Sequence, residues 1–240
     1  VPRLFAAIGT VSATLFVSSV AISSAATLGG LAAPSLFAVN QTASGGAPTV
    51  LTCDDFSRAA ATGSALNGRP VQLPANCGAA TWTTRLGTWT ITSGQLAATT
   101  TDATATVAAG QTSISAEATI LNANGASRIA GVAIDHTGGT RIYLAGVLSG
   151  PSSAQLRLVN GVTVTTLATA TVTIGASAVV RITRNASAVT VSVNGIEAIA
   201  FTLTAGQITT LAGGTLVGLY WNSGSTVRFT NLLATTPAAP

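Results

Sequence analysis

The chain has 240 residues, enough for one well-buried domain and a further segment, with 48% hydrophobic and only 7% charged residues. High hydrophobicity with little charge excludes an intrinsically disordered chain, whose signature is the reverse. The net charge of +4 comes from ten arginines and six acids. Beyond Arg3 the arginines are scattered singly from Arg58 to Arg228, without the basic stripe of a nucleic-acid surface, so nucleic acid is not an expected partner.

No charged residue lies between Arg3 and Asp54. Two fates for this opening are open, and both involve a membrane, during export or during assembly. As a secretory signal, Arg3, the apolar run and the small residues that follow place cleavage after Ala25 or Ala26. If retained, residues 1–33 are expected to form an apolar helix, its run over 4–33 spanning roughly 45 Å at about 1.5 Å per residue. Its Ala, Gly, Ser and Thr faces allow close helix approach, and Gly29-Gly30 and Pro34 stop it. An uncharged helix ahead of a β-rich head resembles the layout of type IV pilin-like subunits. That resemblance implies a homo-oligomer or filament with helices in its core and heads outside. One departure stands out: those subunits carry an acidic residue near the mature amino terminus, and here none precedes Asp54. Ala26-Thr27-Leu28-Gly29-Gly30-Leu31 is also similar to the export region of actinobacterial secreted proteins.

Residues 34–52, with Thr42-Ala43-Ser44-Gly45-Gly46-Ala47-Pro48 in their middle, read as a linker. Cys53 and Cys77 follow, 24 positions apart. An even cysteine count in an exported chain predicts a structural disulfide. A metal or redox pair fits poorly, with no Cys-x-x-Cys and no histidine nearby.

From Thr88 onward, period-two alternation recurs between Gly, Asn and Ser, as in Thr112–Ile120. Asn160-Gly161 and Asn194-Gly195 predict hairpins that pair Leu156–Val159 with Val162–Thr165 and Val189–Val193 with Ile196–Ala200. No helical period is evident after residue 60. Many short strands in one unit predict a mainly β, two-sheet antiparallel sandwich over 53–236, with 237–240 as a tail.

Particular motifs carry a family resemblance. Cys53-Asp54-Asp55-Phe56-Ser57-Arg58, Thr88-Trp89-Thr90-Ile91 with Gly94-Gln95-Leu96, and Ala130–Asp135 leading to Arg141-Ile142-Tyr143-Leu144 come in order. Val180–Arg184, Val191–Gly195 and Val227-Arg228-Phe229-Thr230-Asn231 follow. Together they resemble a concanavalin A-like, laminin G-type jelly roll. Alternation then turns Ile142, Leu144, Leu156, Leu158, Val180 and Ile182 between the sheets, and Arg141, Tyr143, Gln155 and Arg157 onto a shared outer face.

Catalysis is not expected. The acids are Asp54, Asp55, Asp102, Glu117, Asp135 and Glu197, with one histidine and no lysine. Glycosidases of the resembled fold use a Glu-x-Asp-x-Glu run, which is missing; Glu117 and Asp135 are the carboxylate pair to test. Asp135-His136 precedes a turn, without a Gly-x-Ser-x-Gly elbow to complete a triad. No cofactor is expected, although the laminin G-like resemblance implies that calcium can be held, with Asp54, Asp55 and Asp135 as candidate ligands. A glycan site would use aromatic faces and planar donors: Arg141, Tyr143, Arg157 and Trp221 are the candidates. Tyr220 and Trp221 are consecutive in a strand, so one of them belongs to the core. Trp82 and Trp89 are expected to pack in the core.

The leading expectation is therefore a non-catalytic extracellular or cell-surface adhesive subunit, filamentous through its amino-terminal helix. The alternative is a secreted monomeric module that binds glycan or matrix after loss of a signal peptide. Low charge and abundant Thr and Ala suit the first; the Arg and aromatic candidates suit the second.

Overall fold

A computed structural model describes residues 47–57, 64–71, 77, 80–224 and 226–238, all within one compact unit, Ala43–Pro240. The apolar helix expected over residues 1–33 lies outside the described residues, as does most of the expected linker. Among the described residues the chain forms strands β1 (Val50–Asp54), β2 (Ser64–Ala65), β3 (Thr83–Leu86), β4 (Trp89–Thr92), β5 (Gln95–Ala98) and β6 (Ala103–Ala108). Next come β7 (Ile114–Leu121), β8 (Ile129–His136), β9 (Ile142–Ser149), β10 (Ser153–Asn160), β11 (Thr163–Thr171) and β12 (Ser177–Asn185). The last elements are β13 (Ala188–Val193), β14 (Ile196–Thr202), helix α1 (Ala205–Thr210), β15 (Leu216–Ser223), β16 (Arg228–Phe229) and β17 (Leu232–Thr235).

Two antiparallel sheets result. One runs β14-β13-β12-β7-β16-β5-β4-β2, with β17 bridging β7 to β1; the other runs β11-β10-β9-β8-β15-β6-β3. Because side chains alternate along a strand, each sheet offers one face to the other. Strand β7 shows this directly: Ile114, Ala116, Ala118 and Ile120 are fully buried and the residues between them are half-buried. Of the positions expected between the sheets, Leu144, Leu156, Val180 and Ile182 are fully buried in the main core, while Ile142 and Leu158 pack at its margin. Gly146 has no side chain for a local reason: a Cβ there would sit 3.1 Å from the Ile182 Cβ of the facing sheet.

Both expected hairpins form, with different turns. At Asn194-Gly195 both residues have positive φ (53° and 80°), as a two-residue Asn-Gly turn requires. In the other hairpin Asn160 pairs with Thr163, so the turn residues are Gly161 and Val162. Glycine occupies the first turn position at φ 63°, and Val162 projects into solvent. Helix α1 was not evident as a periodic pattern. At six residues it is too short for one, and a capping box holds its start: the Thr204 hydroxyl accepts from the Gln207 backbone N–H and the Gln207 side-chain Oε1 accepts from the Thr204 backbone N–H.

The strands begin before Cys53. Val50–Asp54 pairs with Leu232–Thr235, so Val50–Thr52 join the sheet. Cys53 and Cys77 are disulfide-bonded, with Cα atoms 4.9 Å apart. Next to the bridge, buried Asp54 accepts hydrogen bonds from Trp82 Nε1 (2.7 Å) and from the Phe56 N–H (2.8 Å), and the Phe56 and Trp82 rings lie 5.8 Å apart. The bridge thus ties Cys77 to the strand that carries this cluster. Replacing both cysteines by serine should lower unfolding stability by about 3 kcal/mol, the entropic value for a loop of this size. Urea titrations of the oxidised protein and the double variant measure it; equal midpoints would show that the bridge adds no stability.

Candidate functional site

The outer face of the seven-stranded sheet gathers three of the four expected ligand residues. Tyr143 on β9 alternates with core Leu144 and so points outward, where it forms a second cluster with Ala133, Ala145, Val147, Val159 and Tyr220. The Tyr143 ring stacks on His136 at 4.9 Å with 8° between planes, and Tyr220 lies 6.0 Å away. Polar groups fill the surroundings. The Tyr143 and Thr104 hydroxyls are 3.3 Å apart, and Arg141 donates to Asp102 at 2.7 Å. Arg85 donates to the Thr106 hydroxyl at 2.9 Å, and Arg157 donates twice to Gln155 Oε1.

This arrangement differs from the accessible site expected from the sequence. Tyr143 is 0% and Tyr220 1% exposed, so neither ring offers a face to a ligand. Arg141 and Arg157 are half-buried donors already engaged with Asp102 and Gln155. Trp221 is not on this face at all. It is 5% exposed in the main core, and its Nε1 donates to the Gly224 carbonyl at 3.2 Å; Tyr220 takes the outward position instead. Burial, with the nearby Arg85 and Arg141 charges, lowers the His136 pKa to about 4, so its imidazole is neutral. The Gly138 N–H donates to His136 Nδ1 at 2.9 Å, which leaves the proton on Nε2. Burial raises the pKa values of Tyr143 and Tyr220.

The expected acidic constellations do not come together. Asp54 is held by Trp82 and Phe56, and burial raises its pKa above the usual carboxylate value. Asp55 accepts from the Ser57 N–H. Asp135, at φ 55°, is buried and pairs with Arg184 of β12 in the facing sheet at 2.6 Å. Burial outweighs Arg184 and raises the Asp135 pKa to about 6. Among the described residues no three His, Cys, Asp or Glu side chains converge on a common point, so Asp54, Asp55 and Asp135 do not form one calcium site. Glu117 pairs with Arg181 directly across from it on β12, away from the Asp135–Arg184 pair. Asp135 and His136 point to opposite faces of β8, one to Arg184 and the other to Tyr143, so they form no dyad.

An open cavity of about 500 Å³ lies elsewhere, on the β4–β5 hairpin. Trp89, Ile91 and Leu96 of this hairpin enter the core, which leaves Thr90, Thr92, Gln95 and Ala97 on the outside. A tight turn at Ser93 and Gly94, both with positive φ, joins the two strands. Arg228 of β16, the neighbour of β5, and Thr99 complete much of the wall, and Trp221 contributes to it. The volume lies within the roughly 300–1,000 Å³ typical of small-ligand sites. Hydroxyls, one amide and one guanidinium face this cavity, and the Trp221 indole that borders it is buried. In the sequence Thr90 and Gln95 stand only within motifs of the fold; the local signal for this cavity is the outward Thr-x-Thr alternation that pairs Thr92 with Gln95. Of the ligand residues named from sequence, only Trp221 lines this cavity.

No family model and no curated protein matches the chain. Solved structures do. The carbohydrate-binding module CBM66 from Bacillus subtilis superposes with a TM-score of 0.53 at 13% identity, over 64% of this chain and 94% of that one. A variant of the GH43 protein BlXynB from Bacillus licheniformis gives 0.49 at 14% identity, over 78% of this chain and 39% of that one. A protein of unknown function with a galectin-like fold, from Bacillus subtilis, gives 0.47 at 9% identity, over 75% and 99%. At these identities the likeness speaks to fold alone. With its two antiparallel sheets and this likeness to the first of these structures, the described part of the chain is a mainly β jelly-roll sandwich.

Proposed function

We propose that the chain is a non-catalytic glycan- or matrix-binding module that works outside the cytoplasm. The observation that carries this reading is the β4–β5 cavity, open to solvent and lined by Thr90, Thr92, Gln95, Thr99, Arg228 and Trp221. Its hydroxyl, amide and guanidinium groups match what a sugar presents, hydroxyls that donate and accept. The fold shared with a carbohydrate-binding module supports the reading. The disulfide accords with an oxidising compartment. Binding is favoured over hydrolysis because Glu117 and Asp135, the pair considered for acid–base work, each neutralise a different arginine.

The filament reading depends on residues 1–33, outside the described residues, whereas the cavity belongs to the head itself. Arg141, Tyr143 and Arg157 serve in this account as an internal network that stiffens the seven-stranded sheet. A glycan array probed with the full chain and with Gln95→Ala tests the proposal. The wild type should retain a restricted set of sugars, and the variant should hold them about tenfold more weakly, the effect of one lost hydrogen bond of about 1.4 kcal/mol. Retention of no sugar by the wild type would overturn the module reading.

A further inference from the structure

A second cavity, of about 340 Å³, lies where Asn122 and the residues from Gly125 to Arg128 approach Ser223, Gly224, Thr226 and Val227, and it shares no lining residue with the first. Arg128 lines it and is only 1% exposed. The Arg128 Nη1 reaches the Gly125 carbonyl at 3.4 Å, while Nε and Nη2 meet no acceptor. No acid faces it among the described residues that form ion pairs: Asp102, Glu117 and Asp135 are taken by Arg141, Arg181 and Arg184. Burial lowers the guanidinium pKa to about 10, which still leaves a cation at neutral pH. A desolvated charge with no counter-charge is unfavourable, and an arriving anion would relieve it.

The unmet donors define the anion's shape. Nε–H and Nη2–H form the parallel edge of a guanidinium, which matches the two oxygens of a planar carboxylate. The remaining wall defines what carries it. Ser127, Ser223, Thr226 and Asn122 supply hydroxyl and amide groups. Two contacts tie the loops together: Ser223 Oγ donates to the Ser127 carbonyl at 2.6 Å, and Asn122 Nδ2 donates to the Thr226 carbonyl at 2.7 Å. The volume exceeds the needs of a carboxylate alone and stands near the low end of the roughly 300–1,000 Å³ of ligand sites. We infer that this cavity receives a sugar-sized polyhydroxylated carboxylate, a uronic acid, whose carboxylate pairs side-on with Arg128.

Engagement requires Arg128 to part slightly from the neighbouring Ser223, Gly224, Thr226 and Val227, because Nε and Nη2 are enclosed. Gly224 permits the present close seat: a Cβ there would stand 2.8 Å from the Arg128 Cβ. The inference stands on its own residues, so Gln95→Ala should leave it intact, and its failure would not touch the β4–β5 cavity.

Thermal unfolding and calorimetry of the full chain with sodium D-glucuronate, sodium acetate, D-glucose and sodium sulfate, at matched ionic strength, provide the test. Glucuronate should raise the midpoint saturably, and glucose should not. Arg128→Met, which keeps an apolar stem, should weaken glucuronate binding by roughly tenfold or more. Should that variant fail to fold, the wild-type protein still reports: an arginine Nε–H resonance should shift saturably with glucuronate and be missing from the spectrum of Arg128→Lys. Equal responses to acetate and glucuronate would overturn the sugar assignment. A response to sulfate alone would overturn the planar carboxylate, and no saturable response would overturn the site.

Discussion

Arg184→Met is expected to cost about 3–5 kcal/mol of unfolding stability at pH 7, the range for breaking a buried ion pair from one side. Arg184 Nη1 lies 2.6 Å from Asp135 Oδ2; the two side chains are 8% and 0% exposed. The second Asp135 oxygen already has no partner. Removing the guanidinium therefore leaves an enclosed carboxylate with neither charge nor donor at its paired oxygen. The pair also spans the two sheets, from β8 to β12, so its loss weakens their apposition. Adding Asp135→Asn to Arg184→Met should recover much of the loss, because the charge leaves together with its partner. Urea midpoints of wild type, both single variants and the double variant close the cycle. A loss below about 1 kcal/mol in Arg184→Met, the level of an exposed pair, would show that the pair is not buried in solution.

The second large effect is a pH dependence hidden by cancellation. The folded state keeps the Asp135 proton up to about pH 6, whereas the unfolded chain releases it near 3.8. Across that window the folded state binds more protons, so this group lowers stability as pH rises. His136 acts in the opposite sense. Its folded pKa of about 4 lies below the unfolded 6.5, the unfolded state binds more protons between them, and stability rises with pH. Each shift corresponds to about 3 kcal/mol. The wild type should therefore change little between pH 4 and 6.5. Asp135→Asn should become more stable by about 3 kcal/mol over that interval, and His136→Gln should become less stable by a similar amount. Asp54, also raised by burial, adds to the falling limb in both. Parallel pH profiles for the two variants would refute the assignment of these shifts.

Much of the fold was legible because alternation in a strand is a local property. Ile114–Leu121 declares its buried face residue by residue, and Asn194-Gly195 declares a turn through the φ values it tolerates. The cysteine pair was legible from number and compartment. Alternation assigns a face but not what surrounds it. Tyr143 was correctly turned outward, yet its burial against His136, Tyr220 and Thr104 depends on strands far apart in sequence. The same holds for Asp135 and Arg184, separated by 49 positions, whose pairing removes Asp135 from both the calcium and the acid–base readings. One of Tyr220 and Trp221 was expected in the core, and that it is Trp221 is decided only by the sheet's faces, because two adjacent aromatics look alike in sequence. Arg128 gave no local signal, since what marks it is the lack of an acceptor at its Nε and Nη2 in three dimensions.

The central claim, that the head binds sugar through the β4–β5 cavity, is tested most directly by calorimetric titration of the full chain with a glycan retained on the array. Thr92→Ala and Gln95→Ala should be titrated alongside it. The account predicts a saturable isotherm for the wild type, with each variant about tenfold weaker and unchanged in thermal midpoint. Identical isotherms for all three proteins would place the sugar elsewhere and contradict it.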